Sequence, residues 1–237
     1  MRSAMSRLSA ILRRLEAVDT AALCDADKSA GYNAVQVMAS NMSLRTRTSS
    51  CIANNKKMIG IARTIQLTES NDFLAVLRGL HDAEKGEVLC VNTMGSCKAV
   101  AGGLFLTEAE RKGLSGIIID GAVRDISTMK ESNIQCYSSS INPYSGSIQS
   151  LGETQMTITC GGVQISPGDV VIGDADGVII ANIDSIENIL DAAEAIVAKE
   201  AEIMDAMKDG ESLHSLTNYA EHVARLQKGQ ASTLQFK

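Results

Sequence analysis

A chain of 237 residues with 45% hydrophobic and 21% charged side chains can bury a substantial core and is neither disordered nor fibrous. Its net charge of −6, pI near 5.1 and 3% aromatic content, with no Trp, exclude the basic footprint and stacking platforms of a nucleic-acid-binding surface. No apolar run reaches the roughly 20 residues of a membrane-spanning helix, so neither a direct nucleic-acid partner nor a membrane is expected.

The opening stretch, MRSAMSRLSAILRRL, holds four Arg, three Ser and no acid. That is the composition of a mitochondrial transit peptide. It is also an amphipathic helix with Leu8, Ile11, Leu12 and Leu15 on one stripe. We read it as the helix and the chain as cytoplasmic, with a mitochondrial location as the alternative. Asp19 or Thr20 is placed to cap a short helix carrying Ala21, Ala22 and Leu23, closed by the polar residues 28–33. Residues 40–55, with Arg45 and Arg47, predict irregular strands and a turn at Asn54-Asn55. Residues 58–67 alternate as a strand, Asn71 or Asp72 caps a helix through His81, and residues 87–92 form a strand buried on both faces. A turn at Gly95-Ser96 follows.

The next stretch, GGLFLTEAERKGLSGIIIDGAVRD (residues 102–125), carries the chemistry. Gly102 and Gly103 allow a close backbone approach, and residues 104–112 have helical spacing up to Gly113, a C-cap residue. The unpaired N–H groups of that helix start, from Gly102 through Leu104 and Phe105, can receive an anion. Residues 116–119 read as a buried strand ended by Asp120-Gly121, and Arg124 and Asp125 follow. A guanidinium beside a helix N-terminus can hold a carboxylate through charge-assisted hydrogen bonds. The Asp125 carboxylate can take a hard cation, Mg²⁺ or Mn²⁺. On residue types alone, Arg124 and Asp125 also read as a surface ion pair.

Beyond that stretch, a short helix over 126–131 and a strand over 134–139 lead to a Ser/Gly-rich loop, 141–152. Residues 156–160 and 163–165 form a hairpin about Gly161-Gly162, and 170–173 and 178–181 another about Asp176-Gly177. Asp184 or Ser185 caps a long helix to Lys208, and a last helix covers 216–228. The six cysteines, Cys24, Cys51, Cys90, Cys97, Cys136 and Cys160, show no C-x-x-C pattern and are expected to be free thiols. Cys97, beside Lys98, is a candidate nucleophile without an identifiable base.

Residues 102–125 resemble the signature of the RraA-like family, which groups class II 4-hydroxy-4-methyl-2-oxoglutarate aldolases with RraA-type regulators of ribonuclease E. TAALCDADK (20–28), GGVQISPGDVVIGDADGVIIAN (161–182) and KEAEIMDAMKDGESL (199–213) resemble further blocks of that family in the same order. The resemblance covers about 20–213 of a single domain, with 214–237 as a helical extension. It implies an α/β fold, a swivelling β/β/α sandwich with N- and C-terminal helices, assembled as a homotrimer or hexamer. It also implies a site between subunits, with Gly102, Gly103, Leu104, Phe105 and Arg124 binding substrate, Arg124 and Asp125 catalytic, Asp125 on a divalent metal, and Glu200 reaching across the interface. The implied activities are metal-dependent retro-aldol cleavage of a 4-hydroxy-2-oxo acid or decarboxylation of oxaloacetate; the alternative is a non-catalytic regulator binding a ribonuclease or RNA helicase. Counting back from Arg124, the signature's acid falls on Gly103, so that acid is missing; Asp120 and Glu108 are the nearest substitutes. A methyltransferase finds no support, because no strand-G-x-G turn is followed by an acid at dinucleotide-binding spacing.

Overall fold

The computed structural model describes residues 2–46 and 57–237; Arg47, Cys51 and the turn expected at Asn54-Asn55 lie outside the described residues. The N-terminal helix α1 (Arg2–Leu15) is followed by α2 (Thr20–Ala30), capped by Asp19 and closed at Gly31, and by the short strands β1 (Gln36–Val37) and β2 (Ser43–Leu44). Parallel strands then alternate with helices: β3 (Met58–Gln66), α3 (Leu74–Asp82), β4 (Glu87–Asn92), β5 (Ala99–Ala101), α4 (Gly103–Lys112), β6 (Gly116–Val123), α5 (Ile126–Met129) and β7 (Gln135–Ile141). The second half gives β8 (Glu153–Thr154), the ribbon β9 (Ile158–Cys160) and β10 (Val163–Ile165), the hairpin β11 (Val170–Gly173) and β12 (Val178–Ala181), then α6 (Ile183–Lys208) and α7 (Tyr219–Gln227). Ten strands form one mixed sheet in the order β1-β12-β11-β3-β4-β6-β7-β2, with β5 beside β6 and β8 beside β3.

The period-two alternation of strand side chains decides what covers each face. Along β6, Ile117 and Ile119 point into the cluster beneath α3, α4 and α5, whereas Ile118 points to the opposite face. β4 divides in the same way, Leu89 and Val91 against Val88 and Cys90. That opposite face gathers Met58, Tyr137, Val171 and Ile180 with Ile158 and Ile165 of the ribbon, so the sheet curls around an inner core. Its outer side at β11 and β12 is covered by α1, α2 and α6 through Leu15, Leu23, Ile172, Ile186 and Leu190. The expected mixed α/β sandwich is therefore observed.

Several boundaries differ from the sequence reading. β6 does not end at Ile119: Asp120 lies inside it, its carboxylate accepting the Gly161 N–H at 2.9 Å. Gly121 packs so closely on Thr93 that a Cβ there would lie 2.3 Å from the hydroxyl oxygen. The Asp-Gly pair is thus a close-packing device within the strand. α3 starts after Phe73, without a side-chain cap, while the buried Asp72 carboxylate accepts from Leu74 N–H at 3.0 Å, Ser147 hydroxyl at 2.8 Å and Gln149 N–H at 2.6 Å. Burial works against that charge, but these donors, together with the Ser150 backbone N–H, outweigh it and hold the carboxyl below its ordinary range. α6 is capped by Asn182, which accepts from Ser185 N–H, in place of Asp184 or Ser185. α7 begins at Tyr219 and buries no residue; the tail folds back on it through a Thr217–Phe236 bridge.

α1 docks on α6. Ile11 and Leu15 are buried against it, while Arg7 pairs with Asp184 and Glu187, and Arg14 with Asp191 and Glu194. The two arginines and each pair of acceptors repeat at seven residues (14 − 7, 191 − 184, 194 − 187), so the helices run parallel in heptad register. The five described cysteines are free; burial pushes Cys136 up to about 12 and also raises Cys90 and Cys160, leaving them as protonated packing groups. Cys97 is exposed, and its thiol meets the Asn71 amide oxygen at 3.5 Å, which is no base.

Leu15→Ala should lower stability by about 2–4 kcal/mol in urea denaturation, as for a core leucine; an unchanged midpoint would show that α1 is dispensable to the fold. Asp72→Ala should cost about 2–3 kcal/mol at pH 7, because three donors lose a charged acceptor. Since the folded-state pKa is depressed, the charge-dependent part of that difference should be complete above the unfolded value of about 4 and be lost as pH falls through the folded value. A pH-independent difference would contradict the assignment.

Candidate functional site

β5 and β6 run parallel and end side by side, the Arg124 N–H donating to the Ala101 carbonyl at 3.1 Å. Each strand feeds directly into a helix, so two helix starts meet at the carboxyl edge of the sheet, the usual position for ligands in α/β folds. Gly102 is extended and leaves no room for a side chain: a Cβ would lie 2.6 Å from Asp125 Oδ2 and 3.1 Å from Arg124 Cγ. Asp125 adopts a left-handed conformation, φ 60° and ψ 42°, unusual for a residue with a side chain. That turn aims its carboxylate back at α4, where Oδ2 accepts the Gly103 N–H at 3.2 Å.

Three N–H groups of the α4 start are therefore already engaged. Gly103 donates to Asp125, and Phe105 and Leu106 both donate to the Gly102 carbonyl at 3.0 and 3.2 Å. The Leu104 N–H has no partner among the described residues. Arg124 Nε lies 3.8 Å from Asp125 Oδ2, with both side chains nearly half exposed, so the pair contributes little to stability and leaves the guanidinium available to a ligand. Phe73 and Phe105 meet edge to face at 6.0 Å in a cavity of about 40 Å³ that Gly102, Arg124, Asp125 and Ser145 also line. This holds a water or the head of a carboxylate, and a longer ligand must extend across the rim. Leu104 stands 82% exposed on that rim, and Tyr144, next to Ser145, is 74% exposed beneath the Lys98 ammonium.

Gly102, Leu104, Phe105, Arg124 and Asp125 thus come together around one cavity. Gly103 lies just behind it, facing Thr128. Glu200 is exposed on α6, which packs with α1 and α2, and does not line the cavity. Phe73, Ser145 and Thr128 were not anticipated. Phe73 and Ser145 arrive from the start of α3 and the loop after β7, and no local pattern marks either.

Among the described residues this chain offers a divalent cation a single carboxylate at the cavity, so water or a ligand would have to complete its shell. No group of three or more acidic, His or Cys side chains placed to hold a metal ion occurs among the described residues. Asp125 is the one carboxylate lining the cavity, and it already accepts an amide. Asp120 is committed to Gly161, and Glu108 to Arg111 at 2.6 Å, which holds Glu108 below the ordinary carboxylate range. Neither replaces the missing acid.

The family description RraA-like, Aldolase/RraA, matches residues 20–180. A Halalkalibacterium halodurans protein named "Putative 4-hydroxy-4-methyl-2-oxoglutarate aldolase" is 36% identical over 149 residues, 62% of this chain and 70% of its own length. The structure of the RNA-processing inhibitor RraA from Thermus thermophilis superposes with a TM-score of 0.57 at 25% identity, covering 66% of this chain and 90% of that one. A Geobacillus kaustophilus structure named as an S-adenosylmethionine:2-dimethylmenaquinone methyltransferase gives 0.60 at 27% identity, covering 69% and 94%. With the match spanning more than half its length and these relatives on both the aldolase and the regulator side, the chain belongs to the RraA-like family.

Proposed function

We propose that this RraA-like protein binds the carboxylate end of a small 2-oxo acid between Arg124 and the first turn of α4. The observation that carries this reading is that Arg124 and Leu104, whose N–H has no partner among the described residues, line one cavity of about 40 Å³, the size of a carboxylate head. Two such donors recognise a carboxylate by charge and direction together. Retro-aldol cleavage of 4-hydroxy-4-methyl-2-oxoglutarate and decarboxylation of oxaloacetate both develop charge on a pyruvate enolate oxygen. In this reading Arg124 neutralises that charge, and Phe73 and Phe105, which line the same cavity, form its apolar wall. Catalysis by Arg124 and Asp125 is proposed to be weak, because the signature acid is absent and Asp125 caps a helix. A small apolar rim, Leu104 with Tyr144, favours the second reading, that this face regulates a ribonuclease or RNA helicase by contact.

The same rim supports self-assembly as a homotrimer or hexamer, in which Glu200 of a neighbouring subunit could approach the cavity. The chain is proposed to act as one RraA-like domain in the cytoplasm, with residues 214–237 as an appendage.

Titration calorimetry with pyruvate and with oxalate, an enolate mimic, should show binding by the wild type that Arg124→Ala weakens by about 10–100-fold. A folded wild type that binds neither anion, with or without Mg²⁺ or Mn²⁺, would leave only the regulator. Light scattering should give a mass of three or six times 25.1 kDa at micromolar concentration; a monomer mass would refute the assembly.

A further inference from the structure

We propose that the acidic face of α6 is a receptor for a basic amphipathic helix of another protein, and that α1 occupies it as an intramolecular stand-in. This surface is separate from the carboxylate pocket, and both helices lie outside residues 20–180, which match the family description. The seat is defined by charge in register. Asp184, Glu187, Asp191 and Glu194 form one stripe along α6, and the stretch RLSAILRRL (7–15) answers it with Arg7 and Arg14, while Leu8, Ile11, Leu12 and Leu15 supply the apolar side. Arg7 Nη2 lies 2.7 Å from Asp184, and Arg14 Nε lies 2.8 Å from Glu194.

α1 fills this seat incompletely in two respects. Four carboxylates meet two guanidiniums, so the stripe keeps negative charge that a more basic helix would neutralise. On its other flank α1 leaves a groove of about 550 Å³ against Ile59, lined by Leu8, Ser9, Leu12, Arg13 and Glu16, so Leu8 and Leu12 stay half-buried and larger apolar side chains have room. A competitor can also break its hold. The paired side chains are 38–89% exposed, which opens their attraction to screening by salt, and 14 residues make only a marginal helix by themselves. A released α1 stays tethered, since Lys57 Nζ donates to the Glu16 and Val18 carbonyls at 3.1 and 2.8 Å. The partner that fits is a helix with basic residues seven apart and bulky apolar side chains between them.

The probe is a fluorescent peptide of residues 2–15, titrated by anisotropy into the full chain. The wild type should bind it weakly, because α1 is in place. Arg7→Glu with Arg14→Glu, which repels α1 from α6, should bind it about tenfold more tightly or better, and raising salt from about 50 to about 300 mM should reverse most of that gain. Adding Glu187→Arg and Glu194→Arg to that variant restores the pairing with opposite signs and should return binding to the wild-type level. A second peptide, carrying Ala10→Arg and Leu12→Phe, adds charge and bulk. It should bind the wild type about tenfold more tightly than the first, and at saturation should speed amide exchange across residues 2–15. The proposal is overturned if the Arg-to-Glu variant gains no affinity, if charge reversal on α6 leaves the gain in place, or if the second peptide binds without loosening residues 2–15. Equal or weaker binding of the second peptide would assign the seat to this chain's own helix, in cis or from a second copy, and would overturn it too. All four substituted side chains are partly exposed. If the Glu variant still fails to fold, Arg7→Ala with Arg14→Ala gives the same comparison in the same direction.

Discussion

Two hydrogen bonds one residue apart organise the site: Arg124 N–H to the Ala101 carbonyl, and Gly103 N–H to the Asp125 carboxylate. The first closes the β5–β6 ladder, and the second ties the start of one helix to the residue that begins the next. Asp125 must enter the left-handed region to make it, a strained conformation that persists because both strand ends are fixed by the sheet. Gly102 has to lack a side chain for the same reason, since its missing Cβ is the space that the carboxylate crosses. The buried strands beneath, with Ile117 and Ile119 on one face and Ile118 on the other, form a platform rigid enough to keep that edge in place.

A second constraint explains motifs that carry no chemistry. Thr20 opens α2, and Asp174 stands in the turn between β11 and β12; its carboxylate accepts both the Thr20 N–H and hydroxyl at 2.8 Å, and the Asp176 N–H at 3.0 Å. The buried Tyr137 hydroxyl donates to the Asp174 carbonyl at 2.6 Å. Two stretches that share the family's residue pattern are therefore halves of one buried polar joint, which satisfies groups that would otherwise be costly to bury. Asp169 likewise accepts the Ser166 N–H and shapes a turn. The acids of this region hold the framework, whereas Asp125 faces a cavity.

The regular elements were legible because their signals are local: Gly31 and Gly113 at helix ends, alternation along β3, the Gly161-Gly162 turn with positive φ at both residues. The meeting of Arg124 and Asp125 with Gly102 at one cavity was legible because these residues stand in one short stretch. What escaped depends on contacts distant in sequence. Asp120-Gly121 looks like a turn until Gly161 and Thr93 are brought against it. Asp72 looks like a helix cap until its partners at Ser147 and Gln149 appear. Thr128 shows no sign of proximity to Gly103 until α4 and α5 have packed.

The pairing of α1 with α6 joins residues 177 to 180 positions apart, so the arginines of the first helix meet their acids only when nearly the whole chain exists. On a ribosome adding about 5–20 residues per second, that leaves the first helix without its partner for roughly ten seconds or more. During that interval Ile11 and Leu15 have nothing to pack against, and a stretch of 14 residues is only marginally helical by itself. Docking of α1 is thus a late step in the making of this fold, because Arg7 and Arg14 have no acids to meet until α6 has been synthesised.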